Sequence, residues 1–300
     1  MLLDVKNLRV AFHRDGREIV PVRDVSFSVP EHGRVALVGE SGCGKSLTAL
    51  SLLRLSPTDR AMVTGTIQAP ARIAYVFQNP TDSLNPVMRI RDQIREALPR
   101  AMGRRAQDER IVQLLARTGL PDPQRAARAY PCELSGGQQQ RCMIAMALAA
   151  SPDLLVADEP TTALDVTTQK QVLELIDSLA AETGMAVLLI THNLGLVAGR
   201  MDFVNVMYAG QIVEAGPVTA VLAVPRHPYT KGLLAAVPAL DAPRDAPLAD
   251  IPGTVPPPDR WPSGCAFAPR CARAMGCCSQ EQPPTVTDGD RCWRCFLRES

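Results

Sequence analysis

The sequence predicts an α/β fold built around a mostly parallel sheet. Strand-like and helix-like stretches alternate along residues 1–230, and this alternation is typical of parallel strands joined by right-handed helical crossovers. Short apolar runs at Asp153–Ala157 and Met185–Ile190 indicate strands that are buried on both faces. A glycine-rich turn at residues 39–46 follows another short apolar run and precedes a helix-like stretch. Together these three observations predict the core of the fold.

Each predicted element rests on the spacing of its apolar residues. Strands are predicted at Leu2–Val10, Ile19–Val29, Arg34–Val38, Ala71–Phe77, Asp153–Ala157, Met185–Ile190 and Phe203–Tyr208. Residues 87–149 are mostly helical in pattern. Thr167–Glu182 is predicted as an amphipathic helix, because Val172, Leu175, Ile176 and Leu179 fall on one face.

Composition and charge exclude several classes of protein. The 300 residues suffice for one large or two modest domains, and 46% apolar with 21% charged residues excludes global disorder. A net charge of +1 makes a general nucleic-acid binder improbable, so we expect no nucleic-acid partner. No apolar run approaches the roughly 20 residues that a membrane helix needs, and the amino terminus lacks the layout of a signal peptide. We therefore expect a cytosolic chain.

The composition changes near residue 236. Eight prolines fall between Pro238 and Pro262, and six of the nine cysteines fall in the last 36 residues. Proline lacks the backbone N–H that helices and central strands require, so this stretch is predicted to be a linker. We expect one domain over residues 1–235 and a Cys-rich extension over residues 236–300.

The segment from Gly39 to Ser46 fits the pattern G-x-x-x-x-G-K-[ST] between a strand and a helix. We call residues 39–46 the phosphate loop, because such a loop turns backbone amides and a helix amino terminus towards an anion. Lys45 is predicted to reach the β- and γ-phosphates of ATP, and the Ser46 hydroxyl is predicted to bind Mg²⁺. The predicted contacts are Gly39, Ser41, Gly42, Cys43, Gly44, Lys45, Ser46 and Leu47. Cys43 is either a reactive thiol or a small residue that fits the loop.

An apolar run from Leu154 ends in the acidic pair Asp158 and Glu159. Ligands of such sheets bind at the carboxyl ends of the strands. Asp158 is therefore predicted to hold Mg²⁺, and Glu159 to orient and deprotonate an attacking water. The alternative is an ordinary acidic turn, which the phosphate loop makes less favoured.

A third segment, Leu134–Arg141, opens a predicted helix, where Ser135 and Gln138 have the spacing of a capping box. Taken with the phosphate loop, this segment resembles the signature motif of the ABC ATPases. The resemblance assigns ATP contacts to Ser135, Gly136, Gly137 and Gln138.

The other landmarks of the ABC family follow in order. Gln78 resembles the Q-loop glutamine, a ligand of Mg²⁺ and a sensor of the γ-phosphate. Asp165 in Ala163–Asp165 resembles the D-loop, and His192 resembles the switch histidine. Phe12 is the candidate for stacking on adenine. The resemblance assigns catalysis to Glu159, His192, Lys45 and Gln78.

The resemblance implies an ABC-type P-loop NTPase fold. This fold has a RecA-like parallel-sheet core, an antiparallel β subdomain and a helical subdomain at about residues 80–150. In this family two cassettes pair head to tail, so that the signature motif of one cassette contacts the ATP of the other. One cassette without a membrane span fits the ATPase subunit of an importer at the cytoplasmic face of the membrane. The implied partners are a second, homologous ATPase chain, two permease chains and an extracytoplasmic solute-binding protein.

More specific strings resemble the oligopeptide/dipeptide/nickel importers. They are Asn79–Pro86, Ala129–Leu134, Met207–Gly210 and Arg226–Leu234. The strings imply import of di- or oligopeptides, with nickel, glutathione or an antimicrobial peptide as alternative solutes. A soluble ABC ATPase that acts on DNA or ribosomes is the alternative of a different class. Cys132 and Asn193 depart from the residues usual in the family, His and Asp, and neither departure removes a catalytic group.

The extension also resembles that of peptide-importer ATPases, some of which carry a [4Fe–4S] cluster. Cys265, Cys271, Cys278 and Cys295 have the spacing C-x₅-C-x₆-C-x₁₆-C, and four thiolates are the usual ligands of such a cluster. Four thiolates also bind Zn²⁺, so a zinc site and an extension without metal stay the alternatives. The roles of Cys277 and Cys292 stay open.

Overall fold

The structure is a computed structural model that divides into two compact units. The first comprises Met1–Ala69 and Leu189–Ser300, and the second comprises Pro70–Leu188. Two predicted features lie partly outside the described residues: the linker at residues 238–249 and the D-loop at Ala163. The described residues are 1–14, 16–55, 61–162, 164–237 and 250–297.

The elements alternate between strands and helices along most of the chain. The strands are β1 Leu3–Arg14, β2 Arg17–Val29, β3 Arg34–Val38, β4 Ala61–Gln68, β5 Ile73–Val76, β6 Leu154–Asp158, β7 Ala186–Thr191, β8 Phe203–Tyr208, β9 Gln211–Pro217, β10 Thr285–Asp288 and β11 Arg291–Arg294. The helices are α1 Lys45–Leu52, α2 Pro80–Ser83, α3 Ile90–Ala97, α4 Arg104–Arg117, α5 Pro123–Arg128, α6 Gly136–Ala149, α7 Val166–Thr183, α8 Val218–Ala223, α9 Pro228–Ala235 and α10 Gly276–Gln280.

The first unit contains two sets of strands. An antiparallel sheet has the order β2-β1-β4, and β4 was not predicted because most of its residues are exposed and its apolar positions do not alternate. The other set runs β10-β11-β9-β8-β3, with β3 and β8 parallel and β8 and β9 antiparallel. Ala209 and Gly210 both have positive φ, which suits the two-residue hairpin between β8 and β9.

The carboxyl-terminal extension adds strands to this set. Strand β11 pairs antiparallel with β9, with Cys292 opposite Ala215 and Trp293 opposite Glu214. Strand β10 pairs with β11. Both strands have four residues and were not predicted. Within the first unit, the extension is therefore joined to β9 by backbone pairing.

The second unit pairs β5 with β6 in parallel and contains helices α2 to α7. Strand β6 is buried along its whole length, which agrees with its unbroken apolar sequence. Helix α7 is capped by Asp165 before its first residue and by Gly184 after its last, and the φ of 71° at Gly184 suits a helix terminus. Strand β7 begins in the second unit and ends in the first. Among the described helices, none is long and apolar enough to cross a membrane.

Candidate functional site

The phosphate loop lies between β3 and α1 in the first unit. Lys45 is the first residue of α1 and is 4% exposed, and its ammonium donates to the carbonyls of Gly39 (2.7 Å) and Glu40 (3.0 Å). These bonds curl the loop around the lysine, so its side chain lies inside the curve. Ser46 is exposed at the start of the same helix. A helix amino terminus with a lysine and a hydroxyl is suited to a polyphosphate.

Close packing explains two residues of the loop. A Cβ added to Gly39 would lie 2.1 Å from the carbonyl oxygen of Met207 and 2.9 Å from Cys43 Sγ, so only glycine fits there. Cys43 is fully buried, and burial raises the pKa of its thiol. A buried, protonated thiol is a poor nucleophile, which favours Cys43 as a small packing residue over a reactive one. Ser41 and Gly42 are exposed, and Leu47 is half-buried.

The switch segment follows β7 within the first unit. The Thr191 carbonyl accepts a hydrogen bond from the Gly39 N–H at 3.3 Å, which places the end of β7 beside the loop. His192 is exposed directly after it. Asn193, where the family usually has Asp, accepts from the Gly195 N–H at 2.8 Å. An aspartate could accept the same bond, so asparagine at position 193 preserves the turn.

The acidic pair ends β6 in the second unit. Asp158 is 4% exposed, and its Oδ2 accepts from the Tyr75 hydroxyl at 2.7 Å. Glu159 Oε2 accepts from Gln78 Nε2 at 3.1 Å and from Thr162 Oγ1 at 2.9 Å. The structure thus brings together Gln78 and Glu159, which are 81 residues apart.

Glu159 also has an unusual backbone conformation, with φ of 45°. This left-handed conformation costs a non-glycine residue roughly 1–2 kcal/mol and is concentrated at functional sites. It turns the chain sharply after the buried strand and leaves the Glu159 side chain half-buried rather than packed in the core. The Glu159 carboxylate is therefore half-buried and held in place by Gln78 and Thr162.

The predicted signature segment forms the start of α6. Ser135 caps this helix: its Oγ accepts from the Gln138 N–H at 3.4 Å, and its own N–H donates to Gln138 Oε1 at 3.0 Å. Gly136 is exposed, and a Cβ on Gly137 would lie 2.9 Å from Thr168 Cγ2. The capping box agrees with the sequence pattern and presents the Ser135 side chain at the helix end.

Two further predicted contacts lie outside these segments. Asp165 caps α7 by accepting from the N–H groups of Thr167 (3.1 Å) and Thr168 (3.0 Å). Hydrogen bonds from Thr168, then Thr167, lower the pKa of Asp165. Phe12 is half-buried on β1, opposite Ile19 of β2 and Ala61 of β4.

The predicted cysteine quartet lines one small cavity of about 20 Å³ together with His227 and Phe267. Burial raises the pKa of Cys265 and of Cys295, and the neighbouring Cys278 thiol raises both further. Backbone N–H groups point at two of the sulfurs, from Met275 to Cys278 and from Leu297 to Cys295, each at 3.4 Å. The residues lining the cavity do not include Cys277 or Cys292.

No three His, Cys, Asp or Glu side chains in the described part of the chain lie close enough together to hold a single metal ion. The nine cysteines are all free thiols. The metal centre predicted from the spacing therefore stays a prediction.

Comparison with known proteins decides the family. The family model described as ABC transporter matches residues 22–162, and that of the oligopeptide/dipeptide transporter C-terminal region matches residues 213–278. A Brucella abortus protein named as a peptide import ATP-binding protein is 46% identical over 98% of this chain and 94% of its own length. A Brucella ovis protein of the same name is 48% identical, over 98% and 97%. The chain belongs to the ABC transporter family.

Solved structures of ABC cassettes agree with this assignment. A dimeric ATP-binding cassette bound to ADP and Pi is 26% identical, with a TM-score of 0.62 over 72% of this chain and 98% of that chain. A part of an ABC transporter complex from Clostridium perfringens, 23% identical with a TM-score of 0.63 over 74% of this chain and 90% of that chain, supports the fold. The chain is therefore an ATP-hydrolysing ABC cassette with a mixed α/β sheet.

Sequence reasoning missed several residues of this ABC cassette that hold the predicted ones in place. Tyr75 and Thr162 bond to the acidic pair, and each lies within four residues of a recognised motif. Gln139 donates to the carbonyl of Pro131 (2.9 Å), just before the signature segment, and to that of Leu134 (3.1 Å), the first residue of the segment. The position of Gln139 in α6, within the segment that resembles the signature motif, was the signal that could have found it.

Proposed function

We propose that this ABC cassette hydrolyses ATP to drive the import of di- or oligopeptides through a membrane transporter. The observation that carries the substrate class is the match to relatives named for peptide import, which runs along 98% of this chain. The match of residues 213–278 to the C-terminal region of oligopeptide/dipeptide transporters supports it. We assign the cassette to residues 1–235 and the Cys-rich extension to residues 236–300.

Nucleotide binding rests on the phosphate loop. Lys45 would exchange its bonds to the Gly39 and Glu40 carbonyls for the β- and γ-phosphates, because its ammonium already lies inside the loop. The backbone amides from Ser41 to Leu47 and the amino terminus of α1 would hold the remaining phosphate oxygens. Phe12 would stack on adenine through its exposed face.

Glu159 is the proposed general base. It accepts the proton of a water whose oxygen attacks the γ-phosphorus, the bond from that phosphorus to the β,γ-bridging oxygen breaks, and ADP and phosphate leave. Gln78 orients the carboxylate through the 3.1 Å bond, and Thr162 holds the same oxygen. His192 is proposed to bond the γ-phosphate.

The family implies Mg²⁺ with the nucleotide, and the donors present suit this ion. Ser46, Gln78 and Asp158 offer the oxygen ligands that Mg²⁺ prefers, and Tyr75 holds one Asp158 oxygen at 2.7 Å. When bound, the ion neutralises charge on the phosphates.

The decisive test substitutes the proposed base. E159Q keeps the size of the side chain, and the amide oxygen still accepts from Thr162, so ATP binding and thermal stability are expected to stay near wild type. The ATPase kcat is expected to fall at least about 100-fold, because the amide cannot take a proton. E174Q, an exposed carboxylate on α7, is the matched control and should leave kcat unchanged. Hydrolysis at the wild-type rate in E159Q would exclude Glu159 as the base.

The proposed partners follow from the family. ATP would bind between two cassettes, with Ser135, Gly136, Gly137 and Gln138 of one contacting the nucleotide of the other, and Asp165 facing the same interface. We propose a second, homologous ATPase chain, two permease chains and an extracytoplasmic solute-binding protein. The cassette would then lie at the cytoplasmic face of the membrane. Co-purification of the chain with its permeases, and peptide-stimulated ATPase activity of that complex, test this assembly.

For the extension we propose a [4Fe–4S] cluster held by Cys265, Cys271, Cys278 and Cys295, with zinc as the alternative. The donor set supports a cluster, because four thiols line one cavity and two of them accept backbone N–H bonds. The same four thiols could hold a structural Zn²⁺, so zinc stays the alternative. The cavity itself is small, so the proposal rests on the donors. Such a cluster would crosslink the extension.

Metal analysis tests the cluster directly. The chain is purified without oxygen, and iron, acid-labile sulfide and zinc are measured per chain. About four irons and four sulfides support the cluster, whereas one zinc without sulfide makes the extension a zinc module. C278S is expected to lose the metal, while C277S, the adjacent thiol that does not line the cavity, should keep it. Full iron retention in C278S would exclude Cys278 as an essential ligand.

A further inference from the structure

Glu40, the second residue of the phosphate loop, is held from three directions within the first unit. Its N–H donates to the Tyr229 hydroxyl at 2.8 Å, and its carbonyl accepts from Lys45 at 3.0 Å. Its carboxylate forms a two-pronged ion pair with Arg270 of the extension, at 2.7 Å and 3.2 Å. The extension thus reaches the loop that binds the phosphates.

Arg270 is built into this position. Its side chain is 6% exposed, and its guanidinium also donates to the carbonyls of Pro252 (2.8 Å) and Ile251 (3.0 Å). The Tyr208 hydroxyl lies 3.4 Å from the same group. A guanidinium bound by backbone carbonyls and a carboxylate has a fixed orientation, which a surface ion pair lacks.

Aromatic packing supports the contact. Phe267 of the extension packs edge-on against Tyr208, with ring centroids 5.2 Å apart, and also packs against Tyr229 at 5.4 Å. Tyr208 and Tyr229 pack on each other at 4.6 Å. The tyrosine that holds the Glu40 N–H and the arginine that holds its carboxylate are therefore joined through one aromatic cluster.

The charge of Glu40 matters for a loop that binds a polyphosphate. A carboxylate beside the phosphate site repels the anion, whereas a carboxylate paired with a buried guanidinium is neutralised. Arg270 lies outside the loop. Without it, the loop would carry the negative charge of Glu40 next to the phosphates with no positive partner.

We propose that Arg270 is a positioning residue for ATP binding: it neutralises Glu40 and fixes the first turn of the phosphate loop. The proposal deepens the proposed ATPase function and rests on it. Arg270 acts through Glu40, and no contact with the nucleotide is assigned to it.

The test compares variants of the full chain by the Kd for Mg²⁺-ATP, by KM and kcat for hydrolysis, and by thermal unfolding. R270Q is expected to raise Kd and KM about tenfold, with kcat at saturation within about threefold of wild type. R270K keeps the charge but loses the two-pronged geometry, so a smaller rise of about threefold is expected. E40Q removes the charge that would repel the phosphates but also weakens the contact that fixes the loop, so it is expected to raise Kd less than R270Q does.

The double variant separates action through Glu40 from a general effect. If Arg270 acts through Glu40, R270Q/E40Q should bind ATP within about threefold of E40Q alone, so that the two changes are not additive. R294Q is the matched control. Arg294 also belongs to the extension, precedes a predicted ligand cysteine and pairs with an acid, Asp24 at 2.8 Å, that lies outside the phosphate loop. R294Q should leave Kd within twofold of wild type.

Three results would overturn the proposal: an unchanged Kd in R270Q, an equal loss in R270Q and R294Q, or full additivity in the double variant. If R270Q does not fold, R270K decides, and a wild-type Kd in R270K then overturns it. Failure of the wild-type chain to bind ATP would instead refute the proposed function, so the two failures are distinguishable.

Discussion

Replacing Gly39 by alanine tests the packing of the phosphate loop most directly. The added Cβ would lie 2.1 Å from the Met207 carbonyl oxygen, about 0.9 Å inside the 3.0 Å limit that real Cβ contacts respect. The oxygen belongs to β8, which is paired with β3, so the obstacle is backbone that cannot swing away. Forcing such a contact costs about 1–3 kcal/mol or more.

The expected size of the effect follows. One kcal/mol shifts the Tm of a chain of this size by roughly 2–4 °C, so G39A should lower the Tm by about 2–12 °C. Because the loop must move to relieve the clash, the Kd for Mg²⁺-ATP should rise at least about 30-fold. Differential scanning fluorimetry and a fluorescent ATP analogue measure the two quantities.

Gly42 provides the matched control in the same loop. A Cβ there meets no atom within 4 Å, and the penalty is limited to the positive φ of 81°, which costs about 1 kcal/mol. G42A should therefore lose no more than about 4 °C in Tm. If G39A and G42A lower the Tm alike, the close contact with Met207 does not control the loop.

The remaining predictions concern a buried amide, a buried histidine and the loop lysine. Q139L should lower the free energy of unfolding in denaturant by about 2–4 kcal/mol, because two carbonyls lose their donor. The control Q113L, on the exposed face of α4, should change this free energy little. Equal effects of the two substitutions would contradict the prediction. Burial lowers the pKa of His227 to about 3, so the unfolded chain binds this proton first and stability is lost as the pH falls from about 6.5 towards 3. Between pH 6.5 and 4.5 the free energy of unfolding of the wild type should fall more steeply than that of H227N, by up to about 1.4 kcal/mol per pH unit, and parallel curves would refute the assignment. K45A should raise the Kd for ATP at least about 100-fold, and retained binding in equilibrium dialysis would remove Lys45 from the site.

The sequence was informative wherever one short segment determines both structure and chemistry. The phosphate loop needs its glycine because a neighbouring backbone approaches, and its lysine because a helix begins there. Likewise the apolar runs of β6 and β7 predict buried strands, since no polar residue interrupts them. Ser135 and Gln138 satisfy each other within four residues, so the cap could be predicted from spacing alone.

Contacts between distant segments were beyond sequence reasoning. Arg270 and Glu40 are 230 residues apart, with no local pattern that pairs them. Gln78 and Glu159 are 81 residues apart, and only the family resemblance assigned them to one site. Strand β4 is largely exposed, and β10 and β11 have four residues each, which is too short for alternation to be distinctive. These strands form because a partner strand supplies hydrogen bonds.

The short strands of the extension have a consequence for solubility. A strand at the end of a set presents unpaired N–H and C=O groups, and such an edge invites pairing with another molecule. Here β11 covers part of β9, and the set then ends in β10, whose four residues are mostly exposed and include Asp288. A chain truncated before residue 285 would uncover β9 as a new edge. We therefore expect the truncated protein to self-associate and precipitate at concentrations where the full chain stays dispersed.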